Sequence, residues 1–249
     1  MIGKAIRMKR IFKDDNKAVI SALDFGAFVG TVKGLEKPRA IVKKIADGGA
    51  DAFIMTPGFA RATYDIFAGK AGLIMRVTGG CSKFNTSSGL HTLTTSVKEA
   101  NMLGADAVCN MIFVGHEQEQ RMFEIMQGLS EECHKYGLLL FAELLPSDFN
   151  KSYDSEWIDL CVRLGYEYGA DVIKTYYTPN NYSEIVSNCP VPVVMAGGPK
   201  DCSIYDNVQR AISEGASGVA IGRNIFQSED PTQTVSDLVN IVHKGSESK

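Results

Sequence analysis

Gly169-Ala170-Asp171-Val172-Ile173-Lys174-Thr175-Tyr176-Tyr177 joins the end of an amphipathic stretch to a β-branched and aromatic run. A glycine in this place ends a helix with positive φ, and the apolar run that follows enters a sheet. The same joint recurs as Gly49-Ala50-Asp51-Ala52-Phe53, Gly104-Ala105-Asp106-Ala107-Val108 and Gly215-Ala216-Ser217-Gly218-Val219, so the chain repeats a helix-to-strand unit. Working outward from these joints gives eight candidate strands: Ala18–Asp24, Ala52–Pro57, Gly72–Thr78, Ala107–Phe113, Leu138–Leu145, Val172–Tyr177, Pro192–Gly198 and Gly218–Asn224. They are continuously apolar rather than alternating, as strands covered on both faces are. Helical patterns separate most of them: Pro38–Gly48, Phe59–Gly69, Ser96–Gly104, Glu117–Gly137, Ser155–Gly169, Tyr182–Cys189 and Ile204–Gly215, with Pro231–Gly245 closing the ring. Eight alternating strands and helices in 249 residues predict an α/β fold, a single-domain (β/α)8 TIM barrel spanning residues 1–249. An open doubly wound sheet fits less well, because no G-x-G-x-x-G follows the first strand. The Gly-, Ser- and Thr-rich stretch Gly79–Thr95 reads as a long functional loop.

Composition narrows the function classes. A net charge of −3 offers no global basic field for nucleic acid or acidic lipid. No run reaches the roughly 20 apolar residues of a membrane span. Lys13, Asp14, Asp15 and Lys17 interrupt anything resembling a signal peptide after the basic N-terminus, which predicts a cytoplasmic protein. Cys81, Cys109, Cys133, Cys161, Cys189 and Cys202 form no C-x-x-C pair and read as thiols kept reduced. His91, His116, His134 and His243 are far apart, with no zinc-ligand spacing, so neither a metal nor a cofactor is expected.

Barrel active sites lie at the carboxyl ends of the strands. The polar residues there are Asp24, Arg76, Thr78, Asn110, Glu143, Lys174 and Tyr176, followed by Gly197-Gly198 and Gly222-Arg223-Asn224. Alternation along strand six turns Val172, Lys174 and Tyr176 inward and Ile173, Thr175 and Tyr177 toward the helices. An apolar surround depresses an amine's pKa, and a neutral amine is a nucleophile for Schiff-base formation. The plainer use of Lys174 is a buried stem with its head at the strand's end. Arg76 either clamps a phosphate or pairs with Glu143, the candidate for proton transfer. Asp24 either caps its loop or orients a substrate hydroxyl or Lys174. The glycine-ended strands seven and eight, with Arg223 and the turn Ile225-Phe226-Gln227, match the place of a barrel phosphate pocket, or simply make tight turns.

Leu23-Asp24-Phe25-Gly26, Asp171–Thr178, Cys189–Gly198 and Gly215–Gln227 together resemble the DeoC/FbaB aldolase family, and the likeness runs from Gly3 to about Lys244. The resemblance implies a barrel that forms a Schiff base on Lys174, with Asp24 as a site aspartate and Gly197, Gly198, Gly222 and Arg223 in a phosphate pocket. It implies a class I aldolase, needing no metal, that cleaves or forms a C–C bond in a small phosphorylated ketose or keto compound. It also implies a homo-oligomer. The family's branches include archaeal-type fructose-bisphosphate aldolase, an aminodideoxy-heptulosonate synthase and a thiolase acting on a phosphorylated diketone. Gly30–Lys37 and Gly222–Gln227 look closest to the thiolase branch. Two positions depart from the family pattern. Phe25 replaces the histidine of Leu-Asp-His-Gly, and Leu145-Pro146-Ser147-Asp148 replaces Tyr-Pro-Arg-Gly. A leucine transfers no proton, so Glu143, Asp24 or Tyr176 takes that role, or the reaction is different: thiolase-type acyl transfer, sugar-phosphate binding without catalysis, or isomerisation by carboxylates.

Overall fold

A computed structural model describes residues 1–85, 90–198 and 204–245. Eight parallel strands close into a barrel: β1 (Ala18–Ala22), β2 (Ala52–Met55), β3 (Gly72–Arg76), β4 (Ala107–Val114), β5 (Leu139–Pro146), β6 (Val172–Thr175), β7 (Val193–Ala196) and β8 (Gly218–Ile221). Each strand pairs with its neighbour in sequence, and β8 returns to β1 through Ala18↔Gly218 to Ser21↔Ile221. The predicted TIM barrel is therefore the observed fold. Closure depends on Gly218, which has φ of 134° and where an added Cβ would lie 2.1 Å from the Ala18 carbonyl oxygen.

Helices α1 (Ile2–Ile11), α2 (Gly26–Val29), α3 (Pro38–Asp47), α4 (Pro57–Phe67), α5 (Val97–Met102), α6 (Glu119–Tyr136), α7 (Ser155–Glu167), α8 (Tyr182–Ser187), α9 (Ile204–Ser213), α10 (Arg223–Phe226) and α11 (Pro231–Val239) surround or extend the ring. Their starts follow local chemistry. Pro38, Pro57 and Pro231 occupy first-turn positions, where the missing N–H costs nothing. Ser96, Asp154 and Asp230 cap α5, α7 and α11 through their side-chain oxygens. Most predicted helices end one to three residues early, because the glycine that stops each lies just outside it. The predicted Pro231–Gly245 helix is α11 continued by a π-helical segment, Asn240–Lys244. No helix among the described residues is long and apolar enough to cross a membrane.

Inward and outward residues sort as two-residue alternation requires. Ile20, Ile54, Ile74, Cys109, Phe141, Val172 and Val194 fill the barrel interior, whereas Phe53, Met75, Val108, Ala142 and Ile173 pack under the helices. Helix α1, like the short α2, is an element that the sequence reading did not anticipate. It delivers Ile11 and Phe12 into the interior cluster, where they close the barrel floor. The recurring aspartates explain its position. Asp51, Asp106 and Asp171 precede β2, β4 and β6, and each carboxylate accepts the backbone N–H of the preceding strand, from Val19, Leu73 and Leu140 at 2.7, 3.2 and 2.8 Å. The same three carboxylates pair with Lys13, Arg10 and Lys4. A basic N-terminal segment is thus tied to the strand starts by three ion pairs.

The loop after β3 forms a two-residue antiparallel ribbon, Thr78–Gly79 with Thr92–Leu93, that reaches over the carboxyl ends of the strands. Residues 86–89 of the predicted functional loop, and Cys202 among the predicted reduced thiols, lie outside the described residues. Cys109, Cys133, Cys161 and Cys189 are in no disulfide, and the Cys81 thiol donates to the Leu90 carbonyl at 3.0 Å.

Candidate active site

The carboxyl ends of the strands surround a cavity of about 820 Å³. Four charged side chains converge on its floor: Asp24 just beyond β1, Arg76 at the end of β3, Glu143 on β5 and Lys174 on β6. All four are at most 6% exposed. Register brings them together, because Glu143 and Lys174 are direct partners across β5 and β6. Lys174 Nζ donates to Glu143 Oε1 at 2.6 Å, and Arg76 Nε donates to Asp24 Oδ2 at 2.6 Å. Arg76 Nη2 donates to the second oxygen of Glu143.

The arrangement resolves several alternatives. Lys174 points into the cavity with Tyr176, while Tyr177 turns outward and donates its hydroxyl hydrogen to Glu214 at 2.9 Å. The neighbour set against the Lys174 amine is the Glu143 carboxylate, where the sequence reading expected apolar side chains. Burial alone would raise the Glu143 carboxyl. The charges of Lys174 and Arg76, and their hydrogen bonds, overcome burial and hold it at about 2. Glu143 is therefore ionised at any physiological pH. Arg76 makes the ion-pair contact, with Asp24 as well as Glu143, so two carboxylates face the two cations Arg76 and Lys174. Asp24 serves as the second wall of the Arg76 cage. Burial first, then the Glu143 charge, pushes the Tyr176 phenol up to about 12, so it keeps its proton.

The rim carries the predicted phosphate residues. Gly197, Gly222 and Arg223 line the cavity, and Gly198 lies beside it, where an added Cβ would meet the Tyr153 hydroxyl at 2.9 Å. A Cβ at Gly222 would stand 2.9 Å from the Ala22 carbonyl oxygen, so the tight approach of the β8 turn to β1 needs glycine. The Arg223 guanidinium lies over the Phe25 ring, 5.5 Å from its centroid, a cation–π seat that keeps it at the mouth. Phe25, the departure from the family's histidine, thus positions a cation instead of carrying a proton. Leu145 lines the cavity as an apolar wall residue, and Asn110 does not line it, because Met111 and Phe113 take the inward positions at the end of β4. Thr78 accepts the Met111 backbone N–H at 3.0 Å and acts as a brace.

His91 was not among the sequence-predicted site residues, yet it lines the cavity. Its signal was its place in the Gly79–Thr95 loop, the stretch read as functional. It is 6% exposed, stacked on Phe28 with ring centroids 5.1 Å apart, and edge-on to Phe113 at 5.5 Å. Burial, then the Arg76 charge, lowers its pKa to about 4, so the ring is neutral at pH 7. Among the described residues, no group of three or more His, Cys, Asp or Glu side chains is arranged to hold a metal ion.

Comparison with known proteins places this geometry. The chain is 35% identical over 245 residues to 2-amino-3,7-dideoxy-D-threo-hept-6-ulosonate synthase 1 of Archaeoglobus fulgidus, covering 98% of this chain and 92% of that relative. It is 31% identical over 245 residues to 3-hydroxy-5-phosphonooxypentane-2,4-dione thiolase of Yersinia enterocolitica, covering 97% and 83%. The structure of a Schiff-base-forming fructose-1,6-bisphosphate aldolase superposes with a TM-score of 0.88 at 30% identity, covering 96% of this chain and 100% of that one. The family model for DeoC/LacD aldolases matches residues 18–228. An ion-paired lysine at the mouth of a closed barrel is accordingly set in a chain that belongs to the DeoC/LacD aldolase family.

Proposed function

We propose that this protein is a class I aldolase that makes or breaks a C–C bond in a small phosphorylated keto compound through an iminium on Lys174. The observation that carries the reading is the Lys174 amine in the cavity, 2.6 Å from an ionised Glu143. As the substrate carbonyl arrives, Glu143 takes a proton from the ammonium and the amine adds to the carbonyl carbon. The carbinolamine hydroxyl leaves as water when Glu143 returns that proton. The iminium then draws the electrons of the adjacent C–C bond. The β-hydroxyl gives its proton to Glu143, an aldehyde departs, the enamine takes that proton back at carbon, and water then adds to the renewed iminium, releasing the keto fragment and restoring the Lys174 amine. Tyr176, held protonated, donates into the cavity, and Asp24 fixes Arg76 so that Glu143 keeps one oxygen toward Lys174. Ammonium and iminium carry the same charge on the same nitrogen, so one carboxylate stabilises both without new buried charge. Gly197, Gly222 and Arg223, with Gly198 beside them, hold the phosphate against the rim and position the carbonyl.

Sodium borohydride added with a phosphorylated keto substrate should reduce the iminium and leave the donor's mass on Lys174, read by peptide mass spectrometry. Lys174→Met should abolish the adduct and lower turnover by about 10³-fold or more. Activity should survive EDTA, because the iminium is the electron sink. No adduct with any competent substrate, together with activity lost to EDTA, overturns the reading. Leu145 in the wall favours a second reading, acyl transfer from a phosphorylated diketone to a thiol, as in the name of the Yersinia relative. That reading predicts turnover that depends on an added thiol acceptor.

A further inference from the structure

Two buried polar atoms in the cavity wall lack partners among the described residues. Arg76 commits Nε to Asp24 and Nη2 to Glu143, which leaves Nη1 buried without a hydrogen bond. His91 leaves Nδ1 in the same state. Both side chains line the same cavity and both are more than nine-tenths buried. A buried group without a partner is costly, and the cost is recovered when a ligand supplies the partner. The imidazole is also held in place, face-on to Phe28 with an interplanar angle of 20° and edge-on to Phe113 at 86°. Phe113 is in turn the register partner of Leu145, so an apolar wall continues across β4 and β5 from the histidine.

The chemistry of this wall selects its ligand. His91 is neutral near pH 7, since burial and then the Arg76 charge hold its pKa at about 4, against the opposing charges of Glu143 and Asp24. A neutral ring offers one N–H and one lone pair. Arg76 offers a donor but no surplus charge, because Asp24 and Glu143 balance Arg76 and Lys174. A second phosphate here would add negative charge beside the Glu143 carboxylate, already held at about 2, and the Asp24 side chain. A hydroxyl or carbonyl oxygen meets both groups at no such cost.

Resting on the Schiff-base reading, we propose that His91 and Nη1 of Arg76 bind an uncharged oxygen on the fragment released as aldehyde, while Phe28, Phe113 and Leu145 cover its carbon frame. The substrate class is therefore one phosphate on the keto half and an unphosphorylated, hydroxyl-bearing aldehyde half. His91 is a substrate-binding and specificity-determining residue.

The test is aldol addition with dihydroxyacetone phosphate as donor and D-glyceraldehyde or D-glyceraldehyde 3-phosphate as acceptor. The wild type should show kcat/KM at least roughly tenfold higher for the unphosphorylated acceptor. His91→Phe keeps the ring stack and removes both nitrogens. It should raise the KM for D-glyceraldehyde roughly tenfold with little change in kcat. His91→Gln should recover part of that loss. Borohydride trapping of the donor on Lys174 should match the wild type in both variants, which also shows that they fold. A preference for the phosphorylated acceptor, or a KM within about twofold of wild type in His91→Phe with trapping intact, overturns the inference and leaves the Schiff-base reading standing. Absence of trapping in the wild type sinks both.

Discussion

Glu143 stands between two cations, and its ionisation sets the acid behaviour of the site. Its carboxyl is held at about 2, below the ordinary 4.5, so the stability it lends is present above pH 4.5 and lost as pH falls toward 2. His91 acts in a higher window. Its folded value of about 4 lies below the ordinary 6.5, so its contribution is complete above pH 6.5 and lost as pH falls toward 4. That loss amounts to something on the order of 3 kcal/mol. Urea midpoints measured from pH 7 to pH 4 should fall steeply in the wild type and much less in His91→Gln; equal slopes would refute the assignment. Glu143→Gln should cost roughly 3 kcal/mol or more at pH 7, because Lys174 and Arg76 then face a neutral amide in a buried site. Lys174, Arg76 and Glu143 were legible as a set, since each is a charged residue in an apolar strand. The carboxylate beside the lysine was not, because it depends on which strand neighbours it in register.

The Gly-Ala-Asp joints show what an element needs beyond its own sequence. The glycine and the apolar run announce a strand, and all eight strands were placed within a few residues of where they lie. The aspartate answers to another strand and to another helix. Asp171 accepts the Leu140 N–H and pairs with Lys4, more than 160 residues away, in a half-buried setting. Asp171→Ala should therefore lower stability by about 2 kcal/mol, because a backbone donor loses its partner along with the ion pair. Asp47→Ala, which removes only the exposed pair with Lys43, should change it by less than about 0.5 kcal/mol. Chemical denaturation of the two variants side by side checks the contrast. Helix α1 escaped the sequence reading for the same reason. Lys4, Arg7 and Arg10 look like a solvated leader until Asp171, Gly137 and Asp106 are brought beside them by the folded barrel.

At the scale of the molecule, the ring is closed by one backbone contact that tolerates no side chain. Gly218→Ala puts a Cβ into the Ala18 backbone, and the variant should be recovered as an open, dye-binding species with a lowered melting temperature. Thiol labelling reads the same closure from inside. Burial pushes Cys109, Cys133 and Cys161 up to about 12, so they should resist alkylation until the whole barrel opens. Cys81 and Cys189, which are partly exposed, should label first, and peptide mapping tells the two classes apart. Rapid labelling of Cys109 in the native protein would contradict a packed interior. The floor of the barrel has one more practical consequence. Helix α1 ties the first residues to the strand starts, and His243 reaches Asp15 and Asp51 at that same end, 2.8 and 3.0 Å away. Helix α1 and His243 lie at the face opposite the cavity mouth. A fluorophore or resin bead joined to an exposed side chain of helix α1, such as Lys9, leaves the entrance facing open solution, so immobilised protein should turn over its substrate as fast as the dissolved form.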